Sequence, residues 1–159
     1  MSELPITPHG GIGPLRLNAT RAEIRAAAAG LRLPASGQHA ESDYFAEESV
    51  QVEYDAAGRA QFIGVSPLPD VYRATYSGAD VCDTEAGDLF RRIAEAEGGT
   101  HAFEADGYLF PKQILLLWAA DRENDRLRSG QAARLIWGQV GVGTEAYRAT
   151  VERIRARDT

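Results

Sequence analysis

The 159-residue chain is 44% hydrophobic and 25% charged, with a formal net charge of −6, the composition of a folded domain and not of a disordered segment. That acidity argues against a dedicated nucleic-acid binder, which needs a clustered basic surface to neutralise phosphates. The single cysteine, Cys82, excludes an intramolecular disulfide and every four-cysteine zinc pattern, and points to a reducing, cytoplasmic home.

At this length one domain over 1–159 is expected. Residues Met1 to Leu17 lack the charged start and apolar run of a signal peptide. The longest apolar run, Ile114 to Ala120, is far short of the roughly 20 residues that cross a bilayer, so no membrane segment is expected. Every basic residue except Lys112 is arginine, which suggests a GC-rich bacterial genome.

The first strong signal along the chain is Thr20-Arg21-Ala22-Glu23, a capping box that should open a helix. Ile24, Ala27, Ala28 and Leu31 give it an apolar stripe, and Gly30 is placed to close it in a left-handed turn. Leu33 to Ser42 reads as a loop. Tyr44-Phe45 and the alternating Val50 to Tyr54 read as strands, Asp55 to Gly58 as a turn, and Ala60 to Val65 as the returning strand of a meander.

Ser66-Pro67-Leu68-Pro69 is the one candidate linker. Beyond it Val71 to Tyr76 reads as a strand, Asp83-Thr84 as a helix cap, and Leu89, Phe90, Ile93 and Ala94 as a helical stripe closed by Gly98-Gly99. Thr20 and Thr84 are 64 residues apart, as are Tyr44 and Tyr108. At that offset Tyr44, Phe45, Val50, Val52 and Tyr54 match Tyr108, Leu109, Ile114, Leu116 and Trp118. The chain thus reads as two similar strand-helix-meander halves, about 10–66 and 71–143, with Asp121 to Gly130 inserted before the last strand.

The expected fold is α+β: both halves in one mostly antiparallel sheet, with the helices packed on it. In this register Leu115 and Leu117 replace the outward Gln51 and Glu53, so the second meander is apolar on both faces and needs a cover. A C-terminal helix over about 144–157, capped by Thr144 with Tyr147, Val151 and Ile154 on one face, could supply it. A homodimer through Leu115 and Leu117 is the competing expectation, so the chain reads as a monomer or homodimer.

Catalytic signatures are missing. Gly64-Val65-Ser66-Pro67 lacks the second glycine of a nucleophile elbow, and His9, His39 and His101 are isolated. Cys82 reads as a buried residue ahead of a helix, and the glycines from Gly138 to Gly143 as a bulge or turn instead of a phosphate cradle. No cofactor and no metal is expected. The one concentrated feature is acidic: Glu41, Asp43, Glu47, Glu48, Glu53 and Asp55 lie in or beside the first hairpin, where a basic partner would be steered.

Leu17-Asn18-Ala19-Thr20-Arg21-Ala22-Glu23-Ile24, an L-x-x-T-x-x-E-I run opening a helix before a meander, resembles the tandem helix-plus-sheet layout of the β-lactamase inhibitory protein and outer-membrane-assembly lipoprotein E type. In size, acidity and style the chain also resembles the cytosolic immunity proteins that bacteria keep beside polymorphic toxins. That resemblance implies a non-enzymatic protein that plugs a basic toxin domain, with the six acids as its partner-binding residues. The alternative expectation is a small enzyme or ligand-binding domain with a pocket between helices and sheet.

Overall fold

The structure, a computed structural model, describes residues 1–157. In chain order its elements are β1 (Ser2–Thr7), β2 (Gly11–Ile12), β3 (Leu15–Arg16), α1 (Arg21–Gly30), β4 (Ala35–Gln38), β5 (Ser42–Phe45), β6 (Val50–Tyr54) and β7 (Ala60–Val65). The second half supplies β8 (Tyr72–Tyr76), β9 (Ala79–Asp80), α2 (Ala86–Glu97), β10 (Gly107–Phe110), β11 (Leu115–Asp121), β12 (Ile136–Gly143) and α3 (Glu145–Arg157). The fold is α+β, but with two sheets where one was expected: a seven-stranded sheet in the order β10-β11-β12-β7-β6-β5-β4, and a five-stranded one in the order β3-β2-β1-β8-β9.

The large sheet is antiparallel throughout, and the two meanders meet at its centre, where β7 pairs with β12 through Val65↔Val140, Gly64↔Gly141 and Ile63↔Val142. Because equivalent strands run antiparallel side by side, a local two-fold passes through the sheet near the Gly64–Gly141 pair. Both glycines are required there. A Cβ on Gly141 would stand 2.4 Å from the Phe62 ring and one on Gly64 2.7 Å from Gln139 Nε2, and Phe62 and Gln139 each lie two residues before the glycine of their own strand. Each half thus lays one side chain across the other's backbone.

The small sheet arises from β1, a strand that the sequence reading leaves out. Leu4 and Ile6 alternate inward as a half-buried strand should, but Pro5 interrupts the pattern. β1 pairs in parallel with β8 (Leu4↔Ala74) and lies over the middle of the large sheet, so Leu4, Ile12, Ile24, Val52, Ile63, Leu89, Leu117 and Val140 share one core that spans both halves. Leu68, in the expected linker, is buried in that same core.

The repeat itself runs one residue later than the sequence offset. Thr20 caps α1 through a full capping box, and α2 is capped not by Thr84 but by Glu85, whose carboxylate accepts from the Gly87 and Asp88 amides. Thr84 instead donates its hydroxyl to Asp80 O. Shifted by one residue, Leu17, Thr20, Glu23 and Ile24 correspond to Cys82, Glu85, Asp88 and Leu89, so the helix-opening motif is present twice with kindred chemistry. α1 also ends differently than expected: Gly30 is its last helical residue, and the left-handed turn falls on Arg32 at φ 59°. The segment expected as loop from Leu33 to Ser42 contains β4, an edge strand.

The same shift reverses the faces of β11. Leu115 and Leu117 are 0% and 1% exposed and pair with Val142 and Val140 on the inner face, so no dimer can form through them. Leu116 and Trp118 point outward. α3 forms as expected, with Thr144 Oγ1 accepting from Tyr147 N, but it packs on β7 of the first half, where the Tyr147 ring stacks on Phe62 with centroids 4.8 Å apart, and it leaves the outer face of β11 largely uncovered.

Candidate functional site

The six acids expected as the partner-binding set separate into one buried residue and five at the surface. Asp43 alternates in phase with Phe45, opposite Val52, so the two-residue period of β5 turns it inward, where it is 2% exposed. Arg21 Nη2 and Arg25 Nη2 donate to Asp43 Oδ1 at 2.9 and 3.0 Å, and the Tyr54 hydroxyl donates to Oδ2 at 2.9 Å. Burial by itself raises the carboxyl pKa, but the hydrogen bonds from Arg21, Arg25 and Tyr54 outweigh it and hold Asp43 at about 2. It is the anchor that fastens α1 to the sheet and is not available to a partner.

The other five bracket the outer face of the β5–β6 hairpin. Ser42 pairs with Glu53 and Tyr44 with Gln51 on this face, and α3 reaches only as far as Phe62 and the neighbourhood of Glu53. Glu41 and Asp55 stand at one end of the hairpin and Glu47 and Glu48 at the other, in the turn that joins β5 to β6. Among the described residues none of Glu41, Glu47, Glu48, Glu53 and Asp55 is ion-paired with a basic side chain. Asp55 does organise its own turn, accepting from Ala57 N and Arg59 N.

The Glu47–Glu48 turn is strained. Ala46, Glu47 and Glu48 have φ values of 50°, 56° and 63°, three consecutive left-handed residues without a glycine, each at a cost of about 1–2 kcal/mol. The surroundings fix the turn: Ala46 is buried, Ser49 Oγ donates to Ala46 O at 2.6 Å, Glu48 N donates to Ser36 Oγ at 2.8 Å and Ala46 N donates to Pro34 O at 2.8 Å. Two carboxylates are therefore held outward on rigid backbone.

The remaining ionisable groups that could carry chemistry are engaged in structure. Glu97, buried at the end of α2, accepts from Lys112 N at 2.6 Å, Gln113 N at 3.0 Å and Gln113 Nε2 at 3.0 Å, which ties down the β10–β11 turn. Asp125 holds the inserted loop, accepting from Arg134 Nε and from the Leu127, Arg128 and Arg134 amides; the Arg134 guanidinium keeps its carboxyl well below the usual range. Burial, helped by the nearby Asp80, pushes the Cys82 thiol up to about 11, so at neutral pH it stays protonated and is a poor nucleophile. His101 is packed against the sheet: Nε2 bonds Gly98 O and Nδ1 bonds the Tyr108 hydroxyl, both at 2.7 Å. Among the described residues no three His, Cys, Asp or Glu side chains gather as a metal set, and no helix is long and apolar enough to cross a membrane.

Sequence reasoning missed a second surface feature, an open apolar groove of about 350 Å³ between α3 and β11, lined by Leu116, Trp118, Gln139, Val151, Ile154 and Arg155. Trp118 is 62% exposed at its mouth. The signal was present in the alternation of β11, but with apolar residues on both faces the phase of the strand cannot be read from pattern alone. Comparison with family models, with curated proteins and with solved structures finds no match to this chain.

Proposed function

We propose that the protein is a non-catalytic binding module that holds a basic protein domain against the outer face of the β5–β6 hairpin, in the manner of a bacterial immunity protein blocking its toxin from within the cytoplasm. One observation carries the reading: a strained, rigidly braced turn presents Glu47 and Glu48 at one end of an open polar sheet face, and Glu53, Asp55 and Glu41 extend to the other end an acidity that no basic side chain among the described residues neutralises. Strain of this kind survives where the surrounding structure enforces it, and it is concentrated at functional sites. Unpaired carboxylates around a polar face steer a cationic partner and set its register.

The test is titration with the product of the adjacent gene, the position that such a partner's gene occupies. A one-to-one complex with a dissociation constant in about the nanomolar range is expected, and absence of any complex would overturn the reading. A second reading, a domain that binds a small apolar ligand, is favoured only by the α3–β11 groove, whose size and lining match ordinary ligand sites. Quenching or a blue shift of Trp118 emission by such a ligand would select it.

A further inference from the structure

Where α3 leaves β11 uncovered, the groove between them is a trough with two unlike ends. Tyr147, Val151 and Arg155 follow one another at four-residue spacing along α3 and form one ridge that lines it. The Tyr147–Phe62 stack closes the trough at the start of that ridge. Eight residues on, about 12 Å along the helix, the ridge reaches the Arg155 guanidinium. Leu116 and Trp118 form the opposite wall. The indole is preset there because Gly107 of β10 has no side chain to lift it: a Cβ at that position would stand 3.1 Å from Trp118 Cε3. Arg155 is the one charged residue of the lining, and among the described residues it makes no hydrogen bond or ion pair. The other polar groups are engaged, since Gln139 Nε2 donates to Gln51 Oε1 at 3.0 Å and the Tyr147 hydroxyl lies beside Glu53.

We infer that the trough binds a single-chain fatty acid of about ten carbons, with its tail toward the Tyr147–Phe62 end and its carboxylate on Arg155. The inference rests on the apolar-ligand reading of this groove and gives that ligand its chemical class. Charge complementarity selects the class. The walls favour methylene groups, and the only uncommitted polar group is a cation whose planar fork matches a carboxylate. Size selects a single chain. About 350 Å³ is at the small end of ligand sites, which run from about 300 to 1,000 Å³, and leaves no room for a two-chain lipid.

The test is titration of the full chain with decanoate and with 1-decanol, both below micelle-forming concentrations, followed by NMR at the Trp118 indole N–H, whose signal Trp118→Phe assigns. Decanoate should bind with a dissociation constant of about 10–100 μM, and 1-decanol about fivefold more weakly although its head group is cheaper to desolvate. Arg155→Gln should weaken decanoate about fivefold and leave 1-decanol within about twofold of its parent value. Arg153→Gln removes the same charge from a position on α3 off the ridge, and should change neither. Equal affinity of the parent for the acid and the alcohol, or an equal loss of decanoate binding in Arg153→Gln, would overturn the inference while leaving an apolar ligand in the groove. No shift of the Trp118 signal with either compound would overturn both.

Discussion

Where α1 crosses β5, two guanidinium groups and a phenol converge on the buried carboxylate of Asp43. At the equivalent crossing of α2 over β10, the positions of Arg25 and Asp43 are taken by Phe90 and Tyr108, whose rings meet edge to face at 4.9 Å. Phe110 and Phe103 complete that cluster at 5.1 and 5.7 Å from Phe90. One repeated frame therefore fastens its helix with charge in one half and with aromatic packing in the other. Asp43 is thus consumed by its own half, and the carboxylates left over are those around the outer face.

Urea unfolding of variants in each half separates the two kinds of fastening. Phe90→Ala should cost most, about 4 kcal/mol, since it removes a buried ring from among Phe103, Tyr108 and Phe110 and leaves a cavity in its place. Asp43→Asn should cost about 2–3 kcal/mol. It removes the negative charge and one of the two oxygens that accept from Arg21, Arg25 and Tyr54, setting an NH2 against those donors, but both guanidinium groups are partly exposed and can recover water.

Acid titration separates the two halves. The pKa of Asp43 in the folded protein, about 2, lies below its unfolded value of 3.8, so its contribution is complete above the unfolded value and is lost as pH falls through about 2. With solvent screening that contribution is about 1–2 kcal/mol. Phe90→Ala should leave this acid limb in place and Asp43→Asn should flatten it, with the part due to Asp125 remaining at still lower pH. The smallest effect belongs to the caps. Thr20→Ala should cost about 1 kcal/mol by removing the acceptor for Glu23 N.

Features set by neighbouring residues were legible in the sequence. The capping box at Thr20, the Asp55–Gly58 turn, the meander of the first half and α3 all follow from contacts within a few residues. Features set by distant partners were not. β1 is held as a strand chiefly by β8, 70 residues on in the chain, and the true repeat register is hidden because β11 is apolar on both faces. The phase of Asp43, two residues before the buried Phe45, was a readable sign that it points inward. No local pattern marks Glu97 as the buried acceptor of a turn 15 residues away, or predicts three left-handed residues at Ala46–Glu48.

The role assigned to the outer face is tested most directly by comparing the salt dependence of partner association for the parent chain with that for Glu41→Lys/Glu47→Lys/Glu48→Lys, all three exposed and outside the core. Recognition through these carboxylates predicts that the parent's association rate falls steeply with added salt, and that the variant, folded and with an unchanged unfolding midpoint, associates at least about a hundredfold more slowly at low salt. Equal rates for the two proteins, with no dependence on salt, would contradict it.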